Sequence, residues 1–462
     1  NAQSVSPSPA AWRNVAIAWA TKAEVPQPRY NARAPLGGST ALRVSAWATA
    51  VRQISDWDWI SRLVMLTGVV SNTTRAACTK RAPMSARMPA NAQPSQHTER
   101  VSDMRPLAGG GHDTPQDRVW PKPCVVLPRT EISAPAFSGI DIHNHLGRWL
   151  SEDGSFLGGT LEALRHTMAE VHLDAVVNLD GMWGEELEAN LARYDRAAPG
   201  EIFTFAHVDW DLLRLGDADS PEATRALSEC VADSARRGAK GVKVWKDLGL
   251  TRKDATGALV LPDDPRVIAA MRVAGDHGLP VLIHTADPVA FFEPLEPSNE
   301  RWDELSQMPS WWFGGPEFPS FQRLIEALHN LIEACPATTF IGAHIGGYAE
   351  DLGAVGAALT RLPNFNVDTG GRMAELGRQP RRFRQFVEDF SDRVLFGTDC
   401  FPIYPAAVRN WWRFLETADE HFDYGDEGEP PGQGNWRVSG ANLPTSLLKA
   451  VYRDNAARIL GL

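Results

Sequence analysis

From about residue 118 onward, short β-branched runs alternate with long amphipathic stretches, and this alternation limits the available folds more than any other feature of the chain. Strands separated by helix-length segments cannot pair as hairpins. They pair in parallel, each connection crossing over a face of the sheet. The strand candidates are "GIDIHNH" (139–145), "DAVVNLD" (174–180), "IFTFAHVDW" (202–210), "GVKVWKD" (241–247), "PVLIHTADP" (280–288), "TTFIGAHIGG" (338–347), "NFNVDTGG" (364–371) and "RVLFGTDCF" (393–401). Helix candidates such as "TLEALRHTMAEVHL" (160–173), "SPEATRALSECVADSARRG" (220–238) and "PRVIAAMRVAGDHG" (265–278) lie between them. Eight parallel strands close a barrel, so the expected fold is a (β/α)8 TIM barrel behind a largely disordered N-terminal extension.

Chemistry in such a barrel sits at the C-terminal mouth, on residues contributed by different strand ends. The stretch "GIDIHNHLGRW" puts His143 and His145 two residues apart at the exit of strand 1, and side chains at that spacing share a face. His284 ends the fifth candidate, His344 the sixth and Asp399 the eighth. Any one of them alone reads as a polar residue finishing a strand. As a set they are metal-ligand residue types, dispersed in sequence, that a closed barrel brings to one rim.

The motif "DIHNH" on strand 1, the histidines on strands 5 and 6, and "FGTD" on strand 8 resemble the amidohydrolase superfamily. The closer resemblance is to its amidohydrolase-related branch, which includes the aminocarboxymuconate-semialdehyde and resorcylate decarboxylases and several lactonases. It runs from about residue 118 to the terminal "VYRDNAARILGL". The resemblance implies that His143, His145, His284 and Asp399 ligate one divalent ion. Three imidazoles and a carboxylate suit Zn2+ in softness and leave one position for water. It also implies that Asp399 accepts the proton of that water, and that His344 lies just beyond the ion, polarising the reacting group or shuttling a proton. Two-metal members carry a carbamylated lysine on strand 4, where this chain has Lys243 and Lys246. On a regular strand these two point to opposite faces, so at most one enters the barrel without a bulge. Substrate binding by Lys243 or Lys246 beside a single ion is the preferred reading, and a second ion bridged by either is the alternative.

The activity these residues imply is hydrolysis of a C–N or C–O bond, of amide or lactone type, in a small molecule. Non-oxidative decarboxylation of an aromatic or unsaturated carboxylic acid uses the same set and stays open. A catalytically silent barrel is disfavoured because all the site positions are intact. The segment 287–320, rich in Phe and Trp, falls over the mouth and is expected to act as a lid or specificity element. Trp312 within it is a candidate substrate-binding residue, although most of these rings are expected to pack the loop onto the barrel. A second insertion, 419–444, is expected at the same rim or in a subunit contact, and homo-oligomerisation is left open.

The chain up to residue 117 differs in composition from the rest. Residues 1–130 hold 16 Lys and Arg against 7 Asp and Glu, a balance of +9, while the remainder carries −20. Its arginines are dispersed and lack interleaved aromatic clusters, which argues against a nucleic-acid-binding tail. The segment "RAPMSARMPANAQPSQHTERVSD" (81–103) has too little apolar surface to order itself. The best apolar run, "WISRLVMLTGVV" (59–70), carries Arg62 and is too short to span a bilayer. The opening "NAQSVSPSPA" has no basic segment before an apolar one, so no secretory signal is expected. Cys78, Cys124, Cys230, Cys335 and Cys400 are widely spaced, which suits a reducing cytoplasm better than a disulfide framework. Deleting residues 1–117 is therefore expected to leave the melting temperature of the remaining chain unchanged. A large drop would show that the extension packs on the barrel.

Overall fold

Eight parallel strands pair in strict chain order: β1 (Gly139–Asn144), β2 (Leu173–Asn178), β3 (Ile202–His207), β4 (Gly241–Val244), β5 (Val281–Ile283), β6 (Phe340–Gly342), β7 (Phe365–Asp368) and β8 (Val394–Leu395). The computed structural model describes residues 123–216, 221–425 and 432–462, so the extension to residue 117 lies outside the described residues. Backbone bonds join the last strand to the first. Ile142 N donates to Phe396 O at 3.1 Å, His145 N to Cys400 O at 3.0 Å and Asp399 N to His143 O at 2.9 Å. The sheet thus closes into the TIM barrel expected from the alternation.

One principal helix follows each strand: α1 (Leu161–Glu170), α2 (Gly184–Arg193), α3 (Pro221–Arg237), α4 (Pro265–Asp276), α5 (Phe321–Ala334), α6 (Leu352–Arg361), α7 (Pro380–Asp389) and α8 (Pro405–Glu416). Their starts are written locally. Thr160, Asp264, Ser320 and Asp351 accept backbone N–H groups of α1, α4, α5 and α6, each cap worth about 1 kcal/mol, and Pro265 pre-sets the first turn of α4. In α5, Phe321, Leu324, Ile325, Leu328, Leu331 and Ile332 recur at three- and four-residue intervals, and all are buried.

Apolar side chains form two layers. Val176, Val242, Val244, Val281, Phe340 and Val367 face the helices. Ile140, Ile142, Ala175, Val177, Phe203, Phe205, Leu282, Ile341 and Leu395 fill the barrel, whose floor is covered by Ala456, Ile459 and Leu460 of the C-terminal helix Asn455–Leu460. The interior is therefore packed from below, and the histidines and Asp399 gather at the mouth.

The ladders stop earlier than the sequence runs suggested. His284 follows the last residue of β5, and His344 and Asp399 lie beyond the ends of β6 and β8. The backbone explains this. Ala286 (φ 62°), His344 (φ 60°), Ile345 (φ 58°) and Asp399 (φ 64°) are left-handed, a conformation that no strand continues and that a β-branched isoleucine resists. β4 likewise ends at Val244, so strand alternation does not reach Lys246, and both lysines turn toward the mouth.

The segment 287–320 mostly builds a small core of its own. Phe291, Leu305 and Phe313 pack with Phe321, Leu324 and Ile325 of α5, as the bland expectation for these rings had it. Arg301, fully buried, ties this segment to Glu375 beyond β7 and to Glu304 at 2.8 Å. The second insertion joins the same rim, with Asn435 Nδ2 donating to Asp303 Oδ2 at 2.7 Å and Arg301 standing 5.6 Å from the Trp436 ring. Among the described residues no helix is long and apolar enough to cross a membrane.

Just past β2, the backbone of Gly181 lies so close to β3 that a Cβ there would meet Phe205 O at 2.3 Å. Gly181→Ala is expected to destabilise the protein by about 1–3 kcal/mol, because neither backbone can give way without moving a strand. Urea unfolding measures this, and an unchanged midpoint would contradict the close approach.

Candidate metal centre at the barrel mouth

His143 and His145 converge on one oxygen. The Nε2 atom of each lies 3.4 Å from Asp399 Oδ1, and donor atoms of the three residues all fall within 4.8 Å of one another. The register of β1 against β2 shifts between Asp141 and Asn144. Irregularities of this kind re-aim side chains near functional sites. Both Ile142 and His143 are thereby turned inward, for His143 touches Lys243 of β4, half-way round the barrel.

The other ring nitrogen of each histidine is held by a buried carboxylate. His143 Nδ1 donates to Asp368 Oδ2 at 2.8 Å, and His145 Nδ1 to Asp180 Oδ1 at 2.6 Å. The carboxylates are themselves anchored: His344 N and Gly370 N donate to Asp368, and Gly147 N donates to Asp180. A histidine that gives its Nδ1 proton to a carboxylate directs Nε2 at the site, the arrangement by which proteins orient metal-binding imidazoles. Behind them, Asp141 accepts from Thr398 Oγ1 at 2.6 Å and from His143 N at 3.1 Å, fixing strand 1 to the chain just before Asp399.

His284 and His344 stand beside this cluster, with ring centroids 4.2 Å apart and His344 5.1 Å from His143. His344 Nδ1 donates to Gly370 O at 2.7 Å, which leaves Nε2 as its free nitrogen. Gly371, at φ +64°, lies against both groups: a Cβ there would be 3.3 Å from Asp399 Oδ2 and 3.6 Å from His344 Nδ1. His284 is not in the tightest group but faces Asp287 at 3.6 Å. Lys243, fully buried, places Nζ 3.4 Å from His143 Nε2, and Lys246 is paired with Asp287 at 2.6 Å. Trp312 gives its Nε1 proton to Glu293 O within its own segment. The ring among the histidines is Trp245, 5.8 Å from His145 and 5.5 Å from His284.

Burial dominates the electrostatics. It pushes His284 and His344 well below the usual imidazole range, helped by Lys246 for the first and by His284 for the second, and lowers His143 with the aid of Lys243. Burial also opposes charge on His145, but Asp180 outweighs it and lifts the ring to about 9. Burial raises the Asp399 carboxyl, yet the surrounding histidines, His143 foremost, hold it well below the usual range. Lys243 is pulled down to about 8 by burial.

Several buried polar atoms here have no hydrogen bond among the described residues: Asp399 Oδ1, His344 Nε2 and both ring nitrogens of His284. Buried polar atoms are nearly always satisfied, so a concentration of unsatisfied ones around two oriented imidazoles fits a divalent cation. Sequence reasoning missed Asp180, Asp368, Trp245 and Arg372. The first two were within reach, since each is an acidic residue closing a strand candidate, the same signal that marked Asp399.

A protein-family model described as "Amidohydrolase" matches residues 140–462. No curated protein matches the chain. Among solved structures it is similar to 2,6-dihydroxybenzoate decarboxylase from Rhizobium (15% identity, TM-score 0.43, covering 70% of this chain and 99% of that one). It is also similar to a dihydroxybenzoic acid decarboxylase from a Polaromonas species with bound manganese and 2-nitroresorcinol (15%, TM-score 0.43, 71% and 97%). A third is an amidohydrolase from Burkholderia multivorans with bound zinc (15%, TM-score 0.40, 70% and 99%). These structural likenesses are too distant to bear on chemistry.

Replacing an orienting carboxylate should weaken the site without emptying it. Asp368→Asn is expected to lower zinc affinity by about 10- to 100-fold, measured by competition with a chromophoric chelator. Unaltered affinity would show that the Asp368–His143 pair does not serve an ion.

Proposed function

Because the chain belongs to the amidohydrolase family, we propose that it is a metal-dependent enzyme that hydrolyses an amide or lactone bond of a small molecule at this mouth. One observation carries the reading: two imidazoles, each fixed through Nδ1 by its own carboxylate, aim Nε2 at the same Asp399 oxygen. In it, His143, His145 and Asp399 hold the ion, and His284 completes the set. Bound there, a divalent ion, with zinc favoured by the donor set, would supply Lewis acidity and a lowered pKa for water.

The protein's own groups then divide the remaining work. Asp399, held ionised, accepts the proton of the attacking water through the carboxylate oxygen not used for ligation. His344 is held neutral with its Nδ1 proton on Gly370 O, so its Nε2 lone pair takes or relays a proton at the reacting group. Trp245 walls the site with an apolar face and keeps bulk water from the histidines. Lys243 donates to the His143 lone pair that an ion would use, so ion binding frees its ammonium for a substrate oxygen. That buried ammonium also favours a second reading, non-oxidative decarboxylation, in which it would hold a substrate carboxylate. A single ion without a bridging lysine fits both readings. The four described cysteines are free, in keeping with a reducing compartment such as the cytoplasm.

A panel of lactones, amides and aromatic carboxylic acids, turned over in 18O-labelled water, distinguishes the two. Label in the organic product supports hydrolysis. Release of CO2 with solvent deuterium appearing on carbon and no 18O in that product would replace hydrolysis by decarboxylation. Asp399→Asn should cost about 10²- to 10⁴-fold in kcat at saturating metal if the carboxylate is a proton acceptor as well as a ligand. Full recovery of rate on adding metal would leave it a ligand alone.

A further inference from the structure

Resting on the reading of the mouth as a small-molecule site, we propose that Arg372 binds a carboxylate substituent of the substrate on the side formed by His344 and His284. Arg372 is 8% exposed, and among the described residues its guanidinium makes a single hydrogen bond, Nη1 to Gly371 O at 3.3 Å. It forms no ion pair among the described residues. Several other arginines shielded from solvent hold a carboxylate: Arg301 those of Glu375 and Glu304, Arg266 those of Asp254 and Asp264, Arg413 that of Asp419, and Arg437 that of Asp423. A buried cation without a counter-ion is costly and persists where something outside the fold completes it.

Its position says what that something meets. Arg372 directly follows Gly371, whose backbone abuts Asp399 and His344, and its charge is felt at both His344 and His284. Two carboxylates feel it without reaching ion-pair distance, and of these Glu304 has another cation. Glu304 accepts from Arg301 at 2.8 Å, and Glu350 accepts from Val289 N at 2.9 Å. Of the neighbouring cations, Lys246 is paired with Asp287, and Lys243 rests against His143 until an ion takes that lone pair. Arg372 thus offers a guanidinium, a planar fork matched to a planar carboxylate, with no carboxylate at ion-pair distance among the described residues. It would recognise an acid and discriminate against the neutral amide of the same shape.

The test is calorimetric and compares benzoate with benzamide and hexanoate with hexanamide, on the full chain both zinc-loaded and chelator-treated. In both states the acids are expected to bind wild type at least about 10-fold more tightly than their amides. The preference should vanish in Arg372→Gln and be partly retained in Arg372→Lys. Because the substitution removes an unpaired buried charge, unliganded Arg372→Gln should melt no lower than wild type, whereas a structural arginine would lower it. Should that variant not fold, Arg372→Lys is compared with Lys243→Gln: the preference should fall in the first and persist in the second, and the reverse would move the acid to Lys243. Acid and amide binding alike, a preference surviving in Arg372→Gln, or a preference lost on chelation would each overturn the proposal, the last by assigning the acid to the metal. If the chain takes up no divalent ion yet keeps an Arg372-dependent preference for acids, the metal reading falls and this one stands.

Discussion

The mouth of this barrel depends on two buried imidazole–carboxylate pairs, His143 with Asp368 and His145 with Asp180. Each pair settles three things at once. It fixes the tautomer, so that Nε2 rather than Nδ1 faces the site; it locks the ring plane; and it satisfies one polar atom of a histidine in a dry environment. Asp368 ends β7 and Asp180 lies just past β2, so the orientation of each ring is tied to barrel closure and not to its own loop. Asp399 then enters on a strained left-handed backbone whose amide bonds to His143 O.

The mouth gathers buried groups of both signs. Residues beyond 130 sum to −20, yet the walls of the site bring together Lys243, Lys246 and Arg372. Burial keeps three of the four histidines below their ordinary titration range, and the cations stand against the carboxylates of Asp399, Asp368, Asp180 and Asp287.

Much of this was legible in the sequence because the fold is repetitive. Eight β-branched runs separated by amphipathic segments leave few alternatives to a closed parallel barrel, and the mouth rule then selects polar residues at strand exits. His143, His145, His284, His344 and Asp399 all follow from that step. What escaped it depends on backbone that no period describes. The ladder of β4 ends at Val244, which frees Lys246 from alternation, and residues 344, 345 and 399 adopt left-handed φ where a longer strand was expected. The aromatic neighbour of the histidines is Trp245, not Trp312, because the rings of 287–320 are drawn into a core with α5. Arg372 carries no sequence signal at all: its burial beside the site without an ion pair emerges only from the fold.

The seam between β1 and the chain after β8 gives the site a temporal meaning. Thr398 Oγ1 reaches Asp141 Oδ2 at 2.6 Å across 257 positions of the chain, and the cluster of His143, His145 and Asp399 straddles that same seam. A polypeptide emerging from the ribosome has its paired histidines early and waits for nearly the whole barrel before the aspartate arrives. Contacts of such sequence separation form late, after the entropy of closing the intervening loop has been overcome. A cation bridging the seam would act as a clasp: it could bind tightly only to a finished ring, and by binding it would hold the ring shut against local opening. Loading of the centre would thus double as quality control, since a half-built barrel has nothing to load.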